Sequence, residues 1–176
     1  SSGWSNQGGY ELFLDDPSHA AGLWNAVLEA GADSNIGPGA PNPAERIENA
    51  LLSYGTDTGY EANPYELGLG DLVDIEAGSF VGDAALMAVR EQGATRQLLG
   101  VRLDGAEMEA LDQPCAVHDD SNHIGELRAA AWSPRFSANL GLVLVDATAE
   151  AGERIEIVGH AHLGGGELLD LPFDER

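Results

Sequence analysis

The spacing of apolar residues changes period once along this chain, near residue 95, and no other feature constrains the fold as much. Before that point Ala20, Leu23, Trp24, Val27 and Leu28 recur at three- and four-residue intervals, which puts them on one face of a helix. After it Leu99, Val101 and Leu103 alternate with Gly100, Arg102 and Asp104, the period of a strand with one buried face. Helices first and strands afterwards imply an α+β chain of two units. The expected division is an α/β piece over 1–94 and a small antiparallel β-barrel or sandwich over 95–176.

Local punctuation sharpens this outline. Tyr10-Glu11-Leu12-Phe13-Leu14 is short and β-prone, and Asp16 followed by Pro17 reads as a helix cap with proline in the first turn. Gly31 is placed to end that helix. After a Gly/Pro loop over 37–41, Asn42-Pro43-Ala44-Glu45 is similar to a capping box. Ile47, Ala50, Leu51 and Tyr54 then predict a second helix that ends before Gly55. A third is expected over 82–92 with Gly93 as its stop. Strands are expected from Arg96 onward and over 124–132, 140–146, 154–158 and about 167–171, with turns at 119–122 and Ala151-Gly152.

The charge balance limits the environment and the partners. Thirty Asp and Glu stand against eight basic residues, all arginine, for a formal net charge of -22. Such repulsion is screened in molar salt, where the Debye length falls to roughly 3 Å, so a salt-rich cytoplasm is the expected setting. Nucleic acid is excluded as a direct partner because no basic footprint exists. A single cysteine, Cys115, rules out an internal disulfide and a multi-cysteine zinc site. The longest apolar run, 140–145, is strand-sized and far from the ~20 residues of a membrane helix. No signal-peptide pattern opens the chain, and a start on Ser1-Ser2-Gly3-Trp4 without an initiator Met suggests a piece of something longer.

Other constellations are better explained by local structure. His160-Ala161-His162 would place two imidazoles on one face of a strand, with His118 and His123 in the same unit, but no Glu or Cys ligand pattern accompanies them. They are expected to be surface histidines, and no metal is expected. Asp15-Asp16 and Asp119-Asp120 fall at a cap and a turn, where Asp is favoured for its own hydrogen bonding. No Walker loop, nucleophile elbow or H-E-x-x-H motif is present.

Four motifs in order carry a resemblance. The segment Gly3-Trp4-Ser5-Asn6-Gln7-Gly8-Gly9-Tyr10-Glu11-Leu12 resembles the T-protein motif G-Y-T-G-E-x-G-[FVY]-E-[IL]. Glu45-Arg46-Ile47-Glu48 with Leu51-Leu52-Ser53-Tyr54-Gly55 follows. Next come Asn63-Pro64-Tyr65-Glu66-Leu67-Gly68-Leu69-Gly70, with Phe80-Val81-Gly82 and Ala85-Leu86. Last is Ser133-Pro134-Arg135 with Asn139-Leu140-Gly141. Together they are similar to the C-terminal half of the glycine-cleavage T-protein superfamily.

The resemblance implies the end of a folate-binding α/β domain over 1–94, then the C-terminal barrel over 95–176. It implies a tetrahydrofolate-dependent one-carbon transferase, with the pteridine held by the carboxylate matching Glu11 and an aromatic side chain matching Trp4 beside the folate or the substrate. An ionised carboxylate suits the first role, since its two oxygens can accept a parallel pair of N–H bonds. Asn42 stands where T-proteins usually have arginine, and Asp71 where they tend to have tryptophan. The set is similar in this to the dimethylsulfoniopropionate demethylase branch. The alternatives are a glycine-cleavage aminomethyltransferase and a folate-binding module without catalysis. The family's key acid lies in an N-terminal half that these residues do not include, so no catalytic residue is assigned here. The implied partners are tetrahydrofolate, a small one-carbon donor and that missing half.

Overall fold

A computed structural model describes residues 9–39 and 42–174. The chain divides into two compact units, 1–42 and 43–176, so residues 43–94 group with the strand-rich part of the chain.

In the first unit the Asp16 side chain accepts the Ser18 N–H at 2.8 Å and Pro17 follows in the first turn. Helix α1 (Ala20–Ala30) then runs to Gly31, whose N–H bonds Val27 O at 3.0 Å. The cap and the proline act as their chemistry predicts; Gly31 ends the α-helix at φ -96°, without a left-handed turn, and a tight turn over Ala32–Ser34 follows with Asn35 at φ 53°. The expected strand over 10–14 is corrected: residues 9–14 have no regular secondary structure. A strand needs a partner ladder, and among the described residues all the strands belong to the barrel.

The second unit is built on a closed barrel in the order β1-β4-β3-β2-β5-β6, antiparallel throughout. Its strands are β1 (Arg96–Leu103), β2 (Cys115–Asp119), β3 (Asn122–Ser133), β4 (Ala138–Asp146), β5 (Arg154–Val158) and β6 (Gly165–Leu169). β6 closes on β1, with Gly100 opposite Leu169. Only β2 lacked a sequence expectation, because it offers just Cys115 and Val117 to the interior. The β2–β3 turn holds Asp120 and Ser121 at φ 43° and 76°, a left-handed geometry that Asp tolerates in tight hairpins.

Val101, Val117, Leu127, Val143, Val145 and Leu168 fill the barrel and are fully buried. Gly141 belongs to this filling, since a Cβ there would lie 2.7 Å from Leu127 Cδ1 and 2.8 Å from Ala129 O. A bulge in β3 between Leu127 and Ala129 lets Leu127 and Ala130 both face inward. It also leaves Ala129 and Ala131 on the outer face.

That outer face carries a second core. Eight of the nine β4 residues are buried, because Leu140 and Leu142 pack outside the barrel against Ala44, Ile47 and Phe173. Helix α2 (Pro43–Glu48) supplies Ala44 and Ile47. It begins where the capping pattern predicts but stops well short of Gly55. The Ala50 N–H bonds Ile47 O at 2.9 Å and the Leu51 N–H bonds Arg46 O at 2.8 Å, while Ala50 takes φ 52°. This is the closing pattern of a helix C-terminus, formed here on alanine where glycine is usual, so no glycine marked it in the sequence. Tyr54, expected in the buried stripe, is 65% exposed. Helix α3 (Asp83–Gln92) ends on Gly93 as expected and buries none of its residues. No helix of the described residues is long and apolar enough to cross a membrane.

Candidate functional site

Glu11 lies in the irregular stretch before α1 and is exposed. Leu12 and Leu14, close to it in the chain, line an open groove of about 360 Å³ with Ala20, Leu23, Trp24 and Val27 of α1. A carboxylate next in the chain to an apolar wall offers two acceptor oxygens, which suit a flat heterocycle with N–H groups on one edge. Trp4, the other expected ligand residue, lies outside the described residues.

The motifs of the second unit resolve into a buried polar seam that ties residues 43–67 to the barrel. Arg46 of α2 donates to Asp57 Oδ2 at 2.5 Å, and Asp57 is fully buried. The same oxygen accepts the Ser53 N–H at 2.7 Å, which folds residues 53–57 into a tight turn. Asp57 Oδ1 and Thr58 Oγ1 are buried there without a hydrogen-bond partner. Arg128, turned outward next to the β3 bulge, donates to Asp57 O at 3.2 Å and pairs with Glu61 at 3.0 Å and Glu126 at 2.6 Å. Buried Glu48 accepts from Ser133 Oγ at 2.6 Å.

Farther along, Asn63 Oδ1 accepts the backbone N–H groups of Tyr65 and Glu66, and Glu66 meets Arg96 through two bonds of 2.9 Å. Burial alone would raise the Glu66 carboxyl. The bonds from Arg96, the Asn63 N–H and the arginine charge outweigh it, so the group sits below its ordinary value. Asn139, also buried, donates to Ala106 O at 2.8 Å and accepts the Met108 N–H at 3.2 Å, pinning the β1–β2 loop.

The residues that carried the resemblance in this unit therefore organise the fold. Sequence reasoning missed Asp57, Arg96 and Arg128 as partners. The available signal was scarcity: the chain has only eight arginines, and an arginine that becomes buried, as Arg46 does, needs a partner. The turn held by Asp57 presents Tyr54 and Tyr60 outward, their ring centroids 5.7 Å apart and edge to face.

The remaining candidates fall where local chemistry puts them. His160 and His162 lie in the β5–β6 loop, not on a strand, because Gly159 at φ 93° ends β5. The His162 N–H bonds His160 Nδ1 at 3.3 Å. His118 and His123 face each other across the β2–β3 hairpin with centroids 5.7 Å apart. Among the described residues no three His, Cys, Asp or Glu side chains gather as a metal ion would require. Cys115 is buried, and burial followed by the Asp112 charge raises its thiol, which opposes thiolate chemistry.

Comparison with known proteins agrees with this architecture. Residues 1–77 match the GCVT N-terminal domain and residues 96–173 match the glycine cleavage T-protein C-terminal barrel domain. The chain is 37% identical over 145 residues to the dimethylsulfoniopropionate demethylase of Ruegeria pomeroyi, covering 82% of this chain and 39% of that one. It is 33% identical over 174 residues to the aminomethyltransferase of Halothermothrix orenii, covering 97% and 48%. It thus spans less than half the length of these relatives. The glycine cleavage system aminomethyltransferase T from Bartonella henselae shares the fold, with a TM-score of 0.74 at 21% identity over 88% of this chain and 44% of that one. Two domain matches in family order, with identity above 30% to these relatives over most of the chain, show that it belongs to the glycine cleavage T-protein superfamily.

Proposed function

We propose that these residues are the C-terminal portion of a tetrahydrofolate-dependent one-carbon transferase, with 1–94 completing the folate-binding domain and 95–176 forming the barrel domain. The observation that carries this reading is Glu11, an exposed carboxylate next in the chain to an apolar groove, at the position of the family motif. It would accept the pteridine ring N–H and amino group, with Trp4 packed beside the ring. The preferred donor is a methyl sulfonium, as in the demethylase branch. Asn42 and Asp71 favour this over aminomethyl transfer, as does the similarity to the Ruegeria pomeroyi enzyme.

In such a transfer the N5 lone pair of tetrahydrofolate bonds to the methyl carbon as its bond to sulfur breaks, the neutral thioether leaves with the electron pair, and the N5 proton passes to solvent. The protein's work is then to align the two and exclude water. A glycine-cleavage aminomethyltransferase is the second reading, favoured by the match to the Halothermothrix orenii protein over nearly the whole chain. The charge of -22 favours work in a salt-rich cytoplasm.

Calorimetry with tetrahydrofolate in molar salt tests the site. Loss of one charged hydrogen-bonding partner is worth about 1.5–3 kcal/mol, so Glu11→Ala should weaken binding by about 10- to 150-fold. Equal affinities would remove Glu11 from the site. The 176-residue chain should show no transferase turnover by itself.

A further inference from the structure

We propose that the mouth of the barrel between the β1–β2 and β5–β6 loops binds a small aliphatic amine, its methylenes laid on an apolar floor and its ammonium groups held by carboxylates. The two loops frame a groove of about 680 Å³, the size of a small-molecule site, at a place where barrels commonly take ligands. Met108 and Leu111 of the first loop and Leu163 of the second supply the floor. They also pack on the barrel interior, with Leu163 only 4% exposed, so the floor is the outermost layer of the core itself.

The charge of the lining selects the ligand. Glu107, Glu109 and Asp112 are exposed along it, with the imidazoles of His160 and His162, and no arginine joins them. Acidic residues are common in this chain, so their presence alone decides nothing. Three other acidic grooves among the described residues each contain an arginine: Arg154, Arg102 and Arg90. Two of those arginines are paired within their grooves, Arg154 with Asp104 and Arg90 with Glu76. At the barrel mouth the negative charge stands uncompensated over a low-dielectric floor, which concentrates the potential felt by an incoming cation. A bare inorganic ion would leave that floor in water, whereas an amine with a hydrocarbon chain covers it.

The groove is also formed in advance. Buried Asn139 donates to Ala106 O at 2.8 Å and accepts the Met108 N–H at 3.2 Å, and the Leu111 N–H bonds Ala130 O at 2.8 Å. A loop pinned this way loses little freedom when a ligand arrives. The groove shares no residue with the one that follows Glu11 in the chain, so amine binding does not depend on the folate reading.

Calorimetry with 1,6-diaminohexane at about pH 7.5, in a constant potassium chloride background and without folate, tests the assignment on the 176-residue chain. The expected result is saturable binding of one diamine per chain, with the ring signals of His160 and His162 shifting in proton NMR. The paired variant Glu107→Gln with Glu109→Gln should weaken binding at least tenfold, because charge pairs in a partly enclosed groove are screened less by salt than exposed ones. Glu167→Gln with Asp170→Asn removes the same charge from the groove that holds Arg102 and should leave the affinity unchanged. All four positions are exposed, and unchanged near-ultraviolet circular dichroism checks that both variants keep the fold. 1,3-Diaminopropane, three methylenes shorter, should bind at least tenfold more weakly because it covers less of the floor. No saturable binding, equal losses in the two paired variants, or equal affinity for the two diamines would each overturn the proposal.

Discussion

The barrel and the stretch from 9 to 39 obey the same rules of local structure and reach opposite outcomes. Both have well-formed elements with their caps and turns in place. The barrel closes on itself, so every inward side chain of β1 to β6 meets another, and α2 and Phe173 cover part of its outer face. Between 9 and 39 no residue is buried, although α1 has a clear apolar face. Amphipathic spacing makes a helix capable of burial, but a second surface is required to realise it.

Substitutions can break or sharpen this contrast. The largest effect is expected from Asp57→Ala, which strands the guanidinium of Arg46 in the buried seam. Removing one partner of a buried ion pair costs about 3–5 kcal/mol, and denaturant unfolding should show it; a cost under about 1 kcal/mol would mean that the seam does not hold residues 43–67 in place. Leu127→Ala in the barrel interior should cost about 2–5 kcal/mol. Leu23→Ala on α1 should stay within about 0.5 kcal/mol in the same assay, as surface changes do. Equal losses at the two leucines would erase the distinction between the regions. The smallest effect has the opposite sign. Ala50→Gly should raise stability by about 1 kcal/mol, because Ala50 adopts φ 52° where glycine carries no steric penalty. A destabilised Ala50→Gly would argue against the observed end of α2.

Much of the barrel was legible in the alternation of apolar residues. Strand β5 coincides with its expected bounds and β1, β3, β4 and β6 lie within a few residues of theirs, because each contributes one inward face. Strand β2 was hidden by having only two inward residues. The end of α2 was hidden by a left-handed alanine, and the extra turn expected toward Tyr54 is replaced by the turn around Asp57. Glu11 is proposed from its motif alone. The role of Arg46, Glu48, Glu66 and Asn139 could not be read from theirs, since each pairs with a group distant in the chain: Asp57, Ser133, Arg96 and Ala106.

By itself the sequence determined the order of elements, the place where helical spacing yields to strand spacing, the α1 start and stop, and the family motifs. These depend on backbone preferences and on neighbours within a few positions. Tertiary structure alone decided that the strands close into a barrel, that β4 is buried on both faces, and that scarce arginines and buried carboxylates form one seam. The physical reason is that closure and ion pairing are settled by what a side chain meets across space, and burial exacts a partner wherever the chain happens to bring one.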